Sequence, residues 1–162
     1  MANKQMLLTL YAYNEWANNR IFDAAEKIAG DDLAISAVEG QRNLRELLFH
    51  IVRAEWFWRN LVQFKARPSN PPLSENYSDL GALRAFSQEE TRLGKQLVEQ
   101  LSEQETDAVI QFLDRNGQPA SQVVWHALMQ PLIHGVQHRS EASLILTKLG
   151  QSPGDIDFIL FV

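Results

Sequence analysis

Four histidines, His50, His126, His134 and His138, are the residues of this chain most able to do chemistry. Two of them stand four apart in His134-Gly-Val-Gln-His138. On a helix that spacing puts two side chains about 40° apart and one turn displaced, so both imidazoles reach one point. Val124, Ala127, Pro131, Ala142, Ile145 and Leu149 step by threes and fours through the pair. The two rings therefore lie on the stripe that should face the interior. Neutral imidazole is the commonest transition-metal ligand. A pair needs a third ligand, and His50, between Leu47 and Ala54 on a separate inward stripe, is the obvious one. Three protein ligands with a position left open is the arrangement of a catalytic site rather than a structural one. The chain has no cysteine, so thiolate sites and cysteine nucleophiles are excluded, and an all-imidazole set suits Zn, Ni, Cu or Fe. Position 135 is glycine, so this is not the H-E-x-x-H of a metalloprotease. The competing reading is a pair of core histidines bonded to carbonyls or carboxylates. His126 lies eight residues before His134 and roughly 80° round the helix, so it reads as an outer or surface residue.

The elements that must position these rings are helices. Leu7, Leu10, Asn14, Ala17, Ile21, Ala24 and Ile28 predict a first helix over residues 3–29, stopped by Gly30. Asn14 is the polar member of that face. It is either a core Asn bonded to a neighbouring helix or a group aimed into a site cavity. Residues 31–40 read as loop. Leu44, Leu47, Leu48, Ile51, Ala54, Trp58 and Leu61 predict a second helix over 42–65, capped by Gln41 or Asn43. Trp56, Phe57 and Trp58 read as aromatic core and rim. Residues 66–78 contain Pro68, Pro71 and Pro72, which rule out regular structure. A connection of that length lets two neighbouring helices run parallel. The third helix is predicted over 79–101 with Ser78 or Asp79 as cap. Its charges, Glu89, Glu90, Arg92, Lys95 and Glu99, read as a solvated face. Over 104–121 the period changes to two, with Asn116-Gly117 as a tight-turn signal, so a short hairpin or extended insert is expected. The fourth helix is predicted over 121–149, kinked or broken at Pro131. The apolar tail 155–162 should pack on the bundle or on a second subunit. The fold class is all-α: a four-helix bundle, in one domain over 1–162, with a short β insert before the last helix.

Composition narrows the partners. The net charge of −5 argues against a nucleic-acid binder, which would carry a basic stripe. No apolar run reaches the roughly 20 residues that span a bilayer. No export signal is recognisable at the N-terminus, so a cytoplasmic location and a small-molecule substrate are expected.

Three stretches together resemble a known family. Asn14-Glu-Trp-Ala-Asn18-Asn-Arg20 is similar to its Y-N-x-W-A-N-x-R segment. His50-Ile-Val-Arg-Ala54-Glu55, followed by Trp58 and Arg59, is similar to its H-I-x-x-A-E-x-x-W-x-R segment. His134-Gly-Val-Gln-His138-Arg139 is similar to its H-x-x-x-H-R. The order is right and the resemblance spans essentially the whole chain. The family is that of the DinB-like (DinB/YfiT) helical bundle proteins. The resemblance implies a divalent metal, commonly nickel or zinc, on His50, His134 and His138, and often a dimer. It implies kinship with thiol-dependent transferases, hydrolases and isomerases that use a low-molecular-weight thiol. Where the family usually has Gly-Gln after H-R, this chain has Ser140-Glu141. Glu141 shares the face of His134 and His138 and could accept an imidazole N–H. Glu141 and Asn14 are the candidate positioning residues. The alternatives to an enzyme are a metal-binding module without turnover and a helical dimerisation module with structural histidines.

Overall fold

The computed structural model describes residues 4–28 and 30–162. The two predicted ends of the first helix, 3 and 29, lie outside the described residues. Helix α1 spans Lys4–Ala25 and closes in a loosening turn, with Lys27 and Ile28 bonding only three residues back. The stretch expected as loop contains a short 3-10 turn, Gly30–Ala34. Helix α2 spans Leu44–Phe64. Asn43 caps it: its side chain accepts from Glu46 N while Glu46 accepts from Asn43 N, a capping box. Helix α3 spans Leu80–Gln100, capped by Asp79. A four-residue helix α4, Glu103–Thr106, leads into strands β1 (Val109–Leu113) and β2 (Pro119–Val123). Helix α5 spans Val124–Lys148 and runs unbroken through the buried Pro131.

The core is two apolar clusters, and their membership fixes the helix directions. One gathers buried apolar residues of 21–25, 44–52 and 142–146, with Leu83. The other gathers Leu7, Tyr11, Leu61, Val62, Val98, Ile110 and buried apolar residues of 124–132. Both α2 and α3 start in the first cluster and end in the second, so they run parallel, which the long 65–79 connection permits. Helices α1 and α5 run the opposite way. Helix α2 packs on α3 and α5, and α1 packs on the same two. Successive helices α1 and α2 thus stand on a diagonal of the bundle. Side chains that meet across that diagonal are central to the molecule.

The hairpin pairs Val109 with Val123 through Leu113 with Pro119, antiparallel. The Asn116-Gly117 signal marks a wider loop, residues 114–118, rather than a two-residue turn. The loop is folded by Asp114, whose Oδ1 accepts from the N–H of Asn116 and of Gln118 at 2.8 Å each, and Gly117 takes φ +74°. Beyond α5 the tail returns over α1. Arg20 donates twice to Pro153 O, Tyr13 donates to Ile156 O at 2.9 Å, and Phe158 and Phe161 pack on Tyr13 and Trp16. Its tip, Ile159, Leu160 and Val162, stays exposed. Among the described residues no helix is long and apolar enough to cross a membrane.

One sequence expectation needs correcting. Glu90 does not belong to a solvated face. It is buried and takes a two-pronged bond from Arg59, at 2.7 and 3.0 Å. Arg59 reaches it because α2 and α3 are parallel neighbours, a relation that local charge pattern does not carry.

Candidate metal centre

Helix α2 contributes His50 and α5 contributes His134 and His138. Their ring centroids are 4.4–4.8 Å apart and mutually edge-on. One ring nitrogen from each lies within 4.8 Å of the other two. The Nε2 atoms of His50 and His134 are 2.9 Å apart. Metal–nitrogen bonds of about 2.0–2.1 Å place two ligating nitrogens about 2.9 Å apart at a right angle and about 3.3 Å apart at the tetrahedral angle. The His50–His134 spacing therefore suits a shared metal ion, and the third imidazole would complete the set by drawing its ring nitrogen inward. Glu141 accepts from His138 Nδ1 at 3.0 Å. That contact puts the His138 proton on Nδ1 and leaves the Nε2 lone pair free, as in many metal-ligating histidines. His138 is buried, while His50 and His134 are half-buried.

The site keeps His50 and His134 neutral. Burial pulls His50 down to about 4, and the positive charge of Arg42, the two neighbouring imidazoles and Arg53 act in the same direction. His134 is lowered by burial first, then by His138 and Arg42, with Glu141 opposing. Both rings therefore offer lone pairs at neutral pH without first losing a proton.

Two of the three imidazoles, His50 and His134, line a cleft of about 310 Å³ between α2 and α5. His50, Arg53, Ala54, Phe57 and Trp58 line one wall, and Gln130 and His134 face them. Ala54 and Trp58, expected on the apolar stripe, are half-buried and line this wall, and Trp58 also packs on the second apolar cluster. His126 is exposed, edge-on to Trp125, and takes no part.

The sequence profile of the DinB family matches residues 1–162. The chain belongs to the DinB family. No curated protein matches it in sequence. Among solved structures, the fold is similar to that of YfiT from Bacillus subtilis, described as a probable metal-dependent hydrolase with an unusual four-helix bundle topology. The two share 14% identity and a TM-score of 0.73, over 94% of this chain and 92% of that one. It is also similar to the DinB-like protein YjoA from Bacillus subtilis, with 18% identity and a TM-score of 0.63, over 88% of this chain and 92% of that one.

The DinB-like stretch on α1 divides into two roles in this structure. Tyr13, Trp16 and Arg20 hold the tail, as described above. Asn14 and Asn18, one turn apart, point into the bundle. Their amides donate to Glu55 Oε1, at 2.8 and 3.1 Å. Their Oδ1 atoms accept from Arg139 Nη1, at 2.6 and 2.9 Å. The result is a polar layer, Glu55–Asn14/Asn18–Arg139, lying between the two apolar clusters and directly behind the triad. Asn14 is thus a core residue bonded to two other helices, not a lining residue of the cleft. Burial pushes the Glu55 carboxyl up to about 7, against the Asn14 and Asn18 bonds and the Arg139 charge. The Arg139 guanidinium carbon lies 5.7 Å from the Tyr13 ring centroid. Gly135 makes room for this arginine, because a Cβ there would lie 2.7 Å from Nη1 and 3.3 Å from Asn14 Oδ1. Reading the residues singly missed Glu55, Asn18 and Arg139. The signal that could have found them was polar residues recurring at helical spacing on otherwise apolar faces.

Proposed function

We propose that this protein binds a divalent metal ion, nickel or zinc, through His50, His134 and His138, and uses it to transform a small molecule. One observation carries the reading: three imidazoles from two helices converge, and two of them line a cleft large enough for a small molecule. A closed, fully protein-capped triad would have favoured a module without turnover. When bound, the ion supplies Lewis acidity and lowers the pKa of a coordinated water or thiol. The protein's own part is orientation and enclosure. Glu141 fixes the His138 ring, and burial with Arg42 keeps His50 and His134 unprotonated. Phe57 and Trp58 give the substrate an apolar wall that keeps bulk water off one face. The reaction we favour is thiol-dependent transfer or isomerisation, or hydrolysis, as the family resemblance and the description of YfiT suggest.

Metal analysis of the purified protein tests the first half. The expected result is one divalent ion per chain, lost in the His134→Ala/His138→Ala double variant. Metal content near zero in the unaltered chain would remove the reading. Turnover of small thiols with electrophilic acceptors, and of activated esters and amides, abolished by chelation and restored by nickel or zinc, tests the second half.

A further inference from the structure

The cleft in front of the triad is positively charged in a protein that is not. The chain has 20 acidic and 15 basic residues, yet two arginines and no carboxylate line the cleft: Arg53 on α2 and Arg67 just beyond it. Three arginines of the bundle are neutralised by carboxylates, Arg59 by Glu90, Arg84 by Asp23 and Glu26, Arg92 by Glu89, and Arg20, Arg45 and Arg139 are spent on carbonyl or amide oxygens. Among the described residues neither Arg53 nor Arg67 forms an ion pair. Arg67 instead lies over the Phe57 ring, 5.0 Å from its centroid. The nearby acidic group is Asp114, whose Oδ1 accepts from its own loop and which lies close enough to feel the Arg67 charge without forming an ion pair with it. A third unpaired cation, Arg42, is close enough to act on His50 and His134.

The walls place these charges in register. His50, Arg53, Ala54, Phe57 and Trp58 are spaced i, i+3, i+4, i+7 and i+8, a single stripe of α2. The imidazole stands at one end, the two aromatic rings lie beyond, and Arg53 and Arg67 flank them. Unpaired guanidiniums beside aromatic faces suit an anion on a flat apolar body. Phosphate sites typically add backbone N–H groups from a helix start or a glycine-rich loop. This cleft is lined by α2 and α5 away from their N-termini, whose N–H groups are spent within the helices, so the guanidiniums act alone.

Resting on the reading of the triad as a metal-dependent reaction centre, we infer that the cleft takes a carboxylate-bearing small molecule with an aromatic or similarly flat apolar portion. Arg53 and Arg67 read the carboxylate, Phe57 and Trp58 carry the body, and the reacting group faces the imidazoles.

Calorimetric titration with matched probes tests this on zinc-loaded and chelator-stripped protein. The probes are 3-phenylpropionate, its neutral amide 3-phenylpropionamide, and phenyl phosphate. The acid should bind at least fivefold more tightly than the amide in both forms, the scale of one to two partly exposed ion pairs. Arg53→Gln/Arg67→Gln should reduce the preference below twofold, and Arg53→Lys/Arg67→Lys should keep part of it. Both arginines are exposed, so the variants should fold, which circular dichroism checks. Equal binding of acid and amide would overturn the proposal. So would a preference that survives the double glutamine variant and vanishes only on metal removal, because the metal would then be reading the anion. Phenyl phosphate binding tenfold tighter than the acid would overturn the carboxylate assignment. Metal content, measured on the same samples, fails or stands separately: a chain that holds no zinc loses the metal reading, while the stripped-protein titration still decides the cleft.

Discussion

Arg139 Nη1 lies 2.6 Å from Asn14 Oδ1, deep between α5 and α1, while the residue before it, His138, about 100° round α5, sends its ring toward His50. Adjacent residues thus serve two layers, the inner one electrostatic and the outer one open to ligands. Asn14 and Asn18 hold the Arg139 and Glu55 charges in one hydrogen-bonded group without direct contact between them.

Removing one member of a buried charge pair leaves the other uncompensated, which typically costs roughly 3–5 kcal/mol. Arg139→Gln should therefore lower unfolding free energy by about that amount in urea denaturation. Adding Glu55→Gln should cost less than the sum of the two single variants, by about 1 kcal/mol or more. Strict additivity would show that the two charges are not coupled through the asparagines.

Glu55 predicts a pH dependence. Its carboxyl is raised from 4.5 to about 7, so between those values the folded chain binds a proton that the unfolded chain releases. Stability from this group is therefore fully present below pH 4.5 and is lost as pH rises through 7. The loss is on the order of 3 kcal/mol. His50 works the other way. Its pKa is lowered from 6.5 to about 4, so its contribution is lost as pH falls from 6.5 toward 4. Comparing unaltered protein with Glu55→Gln at each pH isolates the carboxyl. The difference should move against the unaltered chain as pH rises from 5 to 8, and a flat difference would contradict the raised pKa.

How far the sequence reaches depends on the range of the interaction. The α2 N-terminus was readable because Asn43 and Glu46 satisfy each other locally. The triad was readable because His134 and His138 share one helix face and His50 sits on an inward position of another. Glu90 was misread because its partner, Arg59, arrives from a parallel neighbour. Trp58 packs on the second cluster and also lines the cleft, a double role that periodicity cannot show because it marks a face as apolar without saying whether a helix or a cleft lies against it. Arg139 was visible as a motif letter, but its role depends on α1 and α2 meeting across the bundle diagonal.

Gly135 should resist substitution although it sits inside a helix. Alanine normally gains about 1 kcal/mol over glycine there. Here its Cβ would press on Arg139 Nη1 at 2.7 Å and on Asn14 Oδ1. Gly135→Ala should instead lower stability by about 1–2 kcal/mol, by displacing a buried bonded group. In an Arg139→Gln background the same change should become neutral or stabilising. Thermal melts of the four proteins read this directly, and a stabilising Gly135→Ala in the unaltered chain would refute it.

Glu141 separates orientation from stability. Its side chain is 43% exposed, and its one contact of note is the 3.0 Å bond with His138 Nδ1. An exposed side chain of this kind contributes little to folding, so Glu141→Ala should leave the urea midpoint almost unchanged. The His138 ring, however, loses the acceptor that fixes its tautomer and raises its basicity. Loss of such an outer partner costs 10–100-fold in metal affinity, and the exposure of Glu141 places the expected loss near tenfold. Competition against a chromophoric chelator measures it. Glu141→Gln, whose amide oxygen still accepts the Nδ1 proton, should recover part of the affinity. Equal affinities for all three proteins would mean that burial alone holds the His138 ring in place.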